Sequence, residues 1–494
     1  MKRFIAGFVF LITGLVLGAE ERALIALPLG SWPETGRVME MELLQDLRGG
    51  AYVPYIAGEE FRLLRKTEDG GLAPHMPEGF EGTQISARRL SVSTGGLEQY
   101  TAFIGRKGGS EAVYLFGLNS RDDLRYYPLE ETRAAAIADY SLVPSFHGGI
   151  QVYTLAGGRL QCLSAGIGRE RIRREISPGG EAVESFALFQ ERTQTTRYGW
   201  YRSRQDGFWE ISLFALDEAG QLVREKTGAS LDFPRLDYRL SPGGTPVFTI
   251  RKGNKVSVYH AAGGGFVRDL SFDAPVSVMG YRTALHTEDA AGLLFSETET
   301  EEHIYGVSHE LSGAPVLQLL FSLPKGGLLD MFFTGNNRIS LIYRQDQTLH
   351  TVLADMNGRI ITEGRLSEDG AVLFYPDILG RNRFYSLSGS TAGGGEEETG
   401  RLRLFELEQE RWNLVRELRL PWTAPKELHS LSPFNKDTEL LSLVSEDSLM
   451  LCETGSPLVQ TMEMQKYARS IRLNGVVFLA VSSGNGIGLY RVEE

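Results

Sequence analysis

Residues Leu240 to Leu270 read LSPGGTPVFTIRKGNKVSVYHAAGGGFVRDL, and this stretch decides the fold. Ser241-Pro242-Gly243-Gly244 has the chemistry of a tight turn: proline presets φ and glycine tolerates φ > 0. Val247 to Arg251 is a short β-branched run. Gly253-Asn254 reverses the chain, and Val256 to Tyr259 is a second run. Ala261 to Gly265 reads as a loose loop before a third run, Phe266 to Leu270. Three short strands separated by turn residues make a β-meander.

Working outward, the pattern of polar turn followed by apolar run recurs. Its copies are Phe61 to Leu64, Val113 to Phe116, Leu160 to Leu163, Ile211 to Phe214, Val256 to Tyr259 and His303 to Tyr305. They continue with Leu349 to Leu353, Leu402 to Phe405, Leu449 to Cys452 and Ile487 to Tyr490. Measured between central residues, the steps are 52, 47, 51, 45, 47, 46, 54, 46 and 39 residues. A period near 47 over nine intervals matches the roughly 40–50 residues of a four-stranded propeller blade. The runs are short, β-branched or aromatic, and end in Gly, Pro, Asn or Asp, which excludes helical repeats.

The turns Ser241-Pro242-Gly243-Gly244, Ser367-Glu368-Asp369-Gly370 and Ser432-Pro433-Phe434-Asn435 each precede an apolar run. They resemble the S-P-D-G turn between the first two strands of WD40-type and TolB-type β-propeller blades, and Leu431 to Glu453 is most similar to such a blade. The resemblance is at the level of the repeat, over residues 50 to 494. The Trp-Asp and Gly-His pairs of WD40 repeats are absent, and the Tyr and Trp positions of kelch repeats do not recur.

The expected fold is therefore all-β, a β-propeller of four-stranded blades over residues 20–494. Blades bury their faces only against neighbours, so inner strands lose strict alternation, as in Leu213 to Leu216 and Val476 to Val481. The chain stops after a third strand, Ile487 to Val492, and Ala23 to Leu29 is an unassigned strand. The expectation is that it completes the last blade and closes the ring. Counting gives about ten units where four to eight per ring is usual, leaving open a ring of seven or eight blades or two smaller rings.

Lys2 and Arg3, the apolar run Phe4 to Leu17, and Gly18-Ala19 before Glu20-Glu21 read as a signal peptide over residues 1–19. The run is short for a membrane span, so no stable span is expected in the mature chain. The expected address is periplasmic or extracellular, with an uncleaved N-terminal anchor as the alternative reading of the same segment. Losing Lys2 and Arg3 takes the net charge from -12 to about -14, which opposes general nucleic-acid binding. Two cysteines, Cys162 and Cys452, are too few for a disulfide scaffold and fall in apolar runs, where they read as small core residues.

No catalytic motif with workable spacing occurs, and no catalytic, cofactor-binding or metal-ligating residue is assigned. His75, His147, His260, His286, His303, His309, His350 and His429 form no metal pattern. Ser322 to Lys325 fits S-x-x-K and Lys226-Thr227-Gly228 fits K-T-G, but in the reverse of the penicillin-binding order. Ser203 to Trp209 loosely resembles the Asp-box of sialidase-like propellers, with one residue too many, and reads as a plain hairpin turn. Trp200, Trp209, Trp412 and Trp422 read first as packing residues, with a ligand-lining role as the alternative. The basic stretch Arg169 to Glu175 reads as a charged edge strand, and Leu387 to Gly400 as a flexible acidic loop. The function expected is an exported, non-enzymatic module that binds a protein or envelope partner. The alternative is a propeller hydrolase acting on glycans or peptides, with carboxylates gathered at the ring centre.

Overall fold

In the computed structural model, residues 25–493 are described apart from segments between strands, the longest being 81–89 and 390–399. The side chains of some strand residues, those of 427–463 above all, are likewise outside the description. Residues 1–19, read above as a signal peptide, most of the stretch read as an acidic loop, and His147 and His286 fall outside the described residues.

Among the described residues the strands form ten antiparallel sheets in sequence order, nine of four strands and one of five. Sheet 1 runs from Val38–Met41 to Leu72–Pro74, sheet 2 from Ser91–Gly95 to Leu124–Pro128, and sheet 3 from Ile137–Pro144 to Ile172–Glu175. Sheets 4 to 6 begin at Ala182–Phe189, Arg235–Leu240 and Val278–Ala284. Sheets 7 to 9 begin at Leu328–Thr334, Leu373–Pro376 and Glu427–Pro433, and sheet 10 begins at Ala468–Leu473. Every one of the ten expected runs lies in the third strand of its own sheet. A repeat of near-constant length thus becomes one up-and-down sheet per repeat, the architecture of a β-propeller. Ten units make ten sheets, not seven or eight. Among the described residues the only helical turn is Glu130–Thr132, and no helix is long and apolar enough to cross a membrane.

Sheet 10 is completed by the N-terminal strand. Ile25–Trp32 pairs antiparallel with Gly486–Glu493, so both ends of the chain share one sheet. This is the pairing expected of the unassigned N-terminal strand, shifted a few residues along.

The core lies between sheets. One cluster joins Val38, Met41, Val53 and Tyr55 of sheet 1 to Phe478, Ala480, Ile487 and Leu489 of sheet 10. Another packs Phe61 and Leu63 of sheet 1 on Phe103 and Phe116 of sheet 2. Further clusters join each consecutive pair from sheets 2 and 3 to sheets 7 and 8. Burial on both faces explains the continuous apolar runs: all of Ala51–Ala57 is buried, and so are Leu213 to Leu216. Each large side chain so buried contributes about 1.5–3 kcal/mol.

Two local readings change. Ala261 to Gly265 is not a loose loop. The third strand runs to Ala262 and the fourth starts at Gly265, joined by Gly263-Gly264 with φ of +59° and +78°. Positive φ at both central residues matches the right-handed twist of the strands, so two glycines make the tightest hairpin. Ser367-Glu368-Asp369-Gly370 does not separate first and second strands either. Ser367 ends the fourth strand of sheet 7, and the next strand, Leu373–Pro376, opens sheet 8. The residues Glu368 to Gly370 lie outside the described residues, and their composition suits any tight turn, so it does not specify a place in the sheet order. Ser432-Pro433 ends the first strand of sheet 9, and Ser241 to Gly244 and Phe434-Asn435 lie outside the described residues.

Candidate functional site: a cavity where sheet 10 meets sheet 1

The N-terminal strand ends at Trp32, and the chain crosses from sheet 10 to sheet 1 through Glu34. There a cavity of about 430 Å³ opens. Trp32, Leu63, Leu64, Pro74 and Met76 give it apolar walls, and Tyr55, Arg62 and His75 supply polar atoms. Period-2 alternation puts Arg62 and Leu64 on one face of the third strand, with Tyr55 opposite Arg62 on the second. His75 follows the short fourth strand and is tied back by its N–H to the Leu63 carbonyl at 2.9 Å.

The polar side chains are bound to one another. The Glu34 carboxylate is 1% exposed, and one of its oxygens accepts from Tyr55 Oη at 2.8 Å and Arg62 Nη1 at 2.6 Å. Arg62 also reaches exposed Glu60 Oε2 through Nη2 at 2.8 Å. A buried carboxylate persists only when its lone pairs meet such donors. Burial, and then donation to Glu34, pushes the Tyr55 phenol far above its ordinary range, so it stays a proton donor. The bond to Glu60 leads in holding Arg62 charged. Burial first, and the nearby Arg65 charge second, lower the pKa of His75, whose ring lies 5.6 Å from that of Tyr52. The imidazole is therefore neutral at pH 7, with one nitrogen donating and one accepting. An apolar cleft of this volume with a few fixed polar groups suits recognition of a small group or a side chain or two.

The residues singled out in the sequence are dispersed. His303 meets Glu301 at 3.0 Å, and His350 stacks on Tyr343 and reaches Glu363 at 3.4 Å. Among the described residues no three His, Cys, Asp or Glu side chains gather as a metal site. Ser322 belongs to sheet 6 and Lys226 to sheet 4, where Lys226 pairs with Glu181 and Glu210. The Asp-box-like stretch is a two-residue hairpin with Asp206 at φ 51° and Gly207 at φ 85°. Trp200 packs into the core between sheets 4 and 5, Trp209 meets Phe233 edge-on, and Trp412 Nε1 donates to Ser340 Oγ at 3.2 Å. Trp422 and the Cys452 side chain lie outside the description. Cys162 is a free, buried thiol, and Ile172–Glu175 is a fully exposed outer strand.

The cavity was not legible beforehand because its walls come from segments that meet only after the ends of the chain pair. Trp32 lies in the strand expected to close the last blade, and Trp-Pro beside a Glu was the one available signal.

No protein-family model matches the chain, and no curated protein sequence is significantly similar to it. Among solved structures, it is similar to a Lactobacillus plantarum protein at 14% identity, covering 62% of this chain and 91% of that one, with a TM-score of 0.33. It is similar to the WD40 domain of SCAP from fission yeast at 10% identity, covering 83% and 95%, TM-score 0.33. It also matches a prolyl endopeptidase at 12% identity and a TM-score of 0.31, covering 75% of this chain and about half of the other, 54%. Those likenesses are low. The β-propeller fold rests on this chain's own ten sheets, their order and their pairing.

Proposed function

We propose that the chain is an exported β-propeller that binds a protein partner of the cell envelope, with the cavity between sheets 10 and 1 as the pocket for an apolar anchor side chain. The observation that carries this is the division of labour in the cavity. Its walls are largely apolar, while two of its polar lining residues, Tyr55 and Arg62, are already committed to the buried Glu34 carboxylate. A group so committed orients and recognises; it is not poised to exchange protons with a substrate. Apolar anchors entering desolvated pockets carry much of the energy of protein interfaces. Met76, 44% exposed at the rim, offers an adaptable thioether edge to such an anchor. Export rests on the reading of residues 1–19 as a signal peptide.

The test is a photo-crosslinking amino acid in place of Met76 of the mature chain, exposed to an envelope fraction. One discrete protein adduct is expected, weakened about tenfold or more by Trp32→Ala, which removes an aromatic wall. Indistinguishable labelling from the same probe at Ile172, on the outer strand of sheet 3, would contradict the assignment. N-terminal sequencing of the secreted form checks the export step, with cleavage near Ala19 expected.

A further inference from the structure

We propose that the rim between sheets 4 and 5 binds an extended acidic segment of a protein through two guanidiniums mounted on aromatic rings. Trp200, Arg202 and Arg204 alternate along Thr196–Gln205, the second strand of sheet 4, so they share one face. Ile211 and Trp209 of the third strand stand opposite Arg202 and Arg204. Trp200 and Ile211 pack in the core with Phe248 and Ile250 of sheet 5. Nearer the hairpin, the connection to sheet 5 supplies Phe233. The Arg202 guanidinium lies 4.0 Å from the Phe233 ring centre and 5.4 Å from that of Trp200. Phe233 meets Trp209 edge-on at 5.0 Å, and the Arg204 guanidinium lies 5.1 Å from the Trp209 ring centre. Rings and guanidiniums thus form one ladder. The Trp209 backbone exchanges two hydrogen bonds of 2.8 Å with Ser230, which holds the connection in place. Stacking fixes the guanidinium planes and leaves their N–H edges for an anion.

Charge selects the occupant. Arg62, Arg251 and Arg403 each meet a carboxylate. Among the described residues Arg202 and Arg204 make no ion pair and no side-chain hydrogen bond, and Arg202 Nε is buried without a partner. Burial lowers the Arg202 pKa, and the Glu184 charge offsets part of that without pairing. Asp232 is directed elsewhere: its Oδ2 lies 2.8 Å from where a Cβ on Gly253 would sit. In a chain of net charge -12, two unpaired guanidiniums on one face suit a pair of carboxylates. They stand two residues apart, about 7 Å along the strand, the spacing of alternate side chains in an extended peptide. Leu231 and Phe233, 75% and 52% exposed, add apolar contact, and clusters of Arg and aromatic residues anchor protein partners. A sugar would stack on open ring faces, but here the guanidiniums take them. A bilayer would have to bury Asp232 together with Leu231 and Phe233, at the cost of an unpaired carboxylate. This surface is independent of the cavity between sheets 10 and 1.

Fluorescence anisotropy of the full mature chain with the labelled peptide Phe-Ser-Asp-Ser-Asp-Ser-Phe tests the inference. Saturable binding is expected, with a Kd of about 10–100 μM at low salt that weakens as salt rises. Phe-Ser-Ser-Asp-Asp-Ser-Phe points its carboxylates to opposite faces and should bind about fivefold more weakly, and the first peptide with Asn for both Asp about tenfold. Arg204→Glu should weaken binding about tenfold or more, and Arg204→Lys, which keeps the charge without the planar fork, by less. Arg204 is exposed, so the thermal midpoint should not move. Arg173→Glu, on the outer strand of sheet 3, should leave binding unchanged. No saturable binding of the first peptide overturns the inference, as does equal binding of its Asn form or an Arg204→Glu variant that binds like wild type. Binding of phosphatidylglycerol vesicles or polygalacturonate that Arg204→Glu abolishes, with the peptide left unbound, gives the surface another occupant and overturns the peptide assignment.

Discussion

Glu302 shows how single side chains join one sheet to the next. It is 5% exposed, at the second position of the third strand of sheet 6. Its two oxygens accept from the backbone N–H groups of Gly326 and Leu328, at 2.7 and 2.8 Å, where the chain enters sheet 7. Glu111 holds the equivalent position in sheet 2, 1% exposed. It accepts from Ile137 N at 2.8 Å, at the start of sheet 3, and from Arg106 at 2.9 Å. Both precede the same pattern, Glu111-Ala112-Val113-Tyr114 and Glu302-His303-Ile304-Tyr305. Glu302→Ala strands two backbone donors and is expected to cost about 2–4 kcal/mol, against about half or less for exposed Glu301→Ala, by urea denaturation. Cys162 is 2% exposed, and burial pushes its thiol up to about 12. The native chain should therefore leave Cys162 unalkylated, and denaturation should expose it, as read by peptide mass spectrometry. His75 yields a pH dependence of known sign. Its folded-state pKa is lowered, so below about pH 6.5 the unfolded chain takes up a proton more readily than the folded one. Its contribution is intact above that pH and is lost as pH falls through the folded value. His75→Gln should flatten the fall in urea midpoint over that acidic range.

At the scale of strands, the first strand of each sheet holds what the sequence concealed. In sheets 1, 3, 4, 6 and 7 the pairing with the second strand shifts by one residue, at Val38/Glu40, Ile137/Asp139, Val183/Ser185, Val278/Gly280 and Leu328/Asp330. Such a bulge bends the strand and strengthens its twist. In two sheets an aspartate steadies it: Asp139 Oδ1 accepts from Tyr140 N at 2.8 Å and Asp330 Oδ1 from Met331 N at 2.9 Å. Asp330→Ala is expected to destabilise by about 1 kcal/mol, by the same denaturation assay. The third strands were legible because runs such as Val113 to Phe116 or Leu213 to Leu216 are continuously apolar and the strands are set off by turn residues. The bulged first strands were not, because the bulge breaks their alternation and, in sheets 1, 3, 4 and 7, an acidic residue sits inside the pattern, as in Ile137-Ala138-Asp139-Tyr140. Ser-x-Asp-Gly misled at 367–370 for a related reason: turn chemistry is local, whereas the place of a turn in the sheet order is not.

At the scale of the molecule, the sheets depend on their neighbours for burial, and the two chain ends depend on each other. The pairing of Ile25–Trp32 with Gly486–Glu493 packs sheet 10 on sheet 1 and shapes the cavity between them. Gly486 shows how close that approach is. It lies at φ +133°, and a Cβ there would sit 2.0 Å from the Trp32 carbonyl oxygen. Gly486→Ala must displace the N-terminal strand and is expected to cost about 3 kcal/mol or more, by thermal or urea unfolding. The cavity was illegible for the same long-range reason, since Trp32 and Met76 meet only once this pairing has formed. The most direct test is a disulfide between its exposed partners. Leu27 stands opposite Arg491, a spacing that brings Cβ atoms to about 4.5–5.5 Å. Leu27→Cys with Arg491→Cys, both exposed, should oxidise to a cyclic chain with altered electrophoretic mobility and a raised thermal midpoint. Leu27→Cys with Arg173→Cys, on sheet 3, should not cross-link within one chain. Failure of the first pair to close, or equal closure of the second, would contradict the shared sheet on which the fold and its cavity rest.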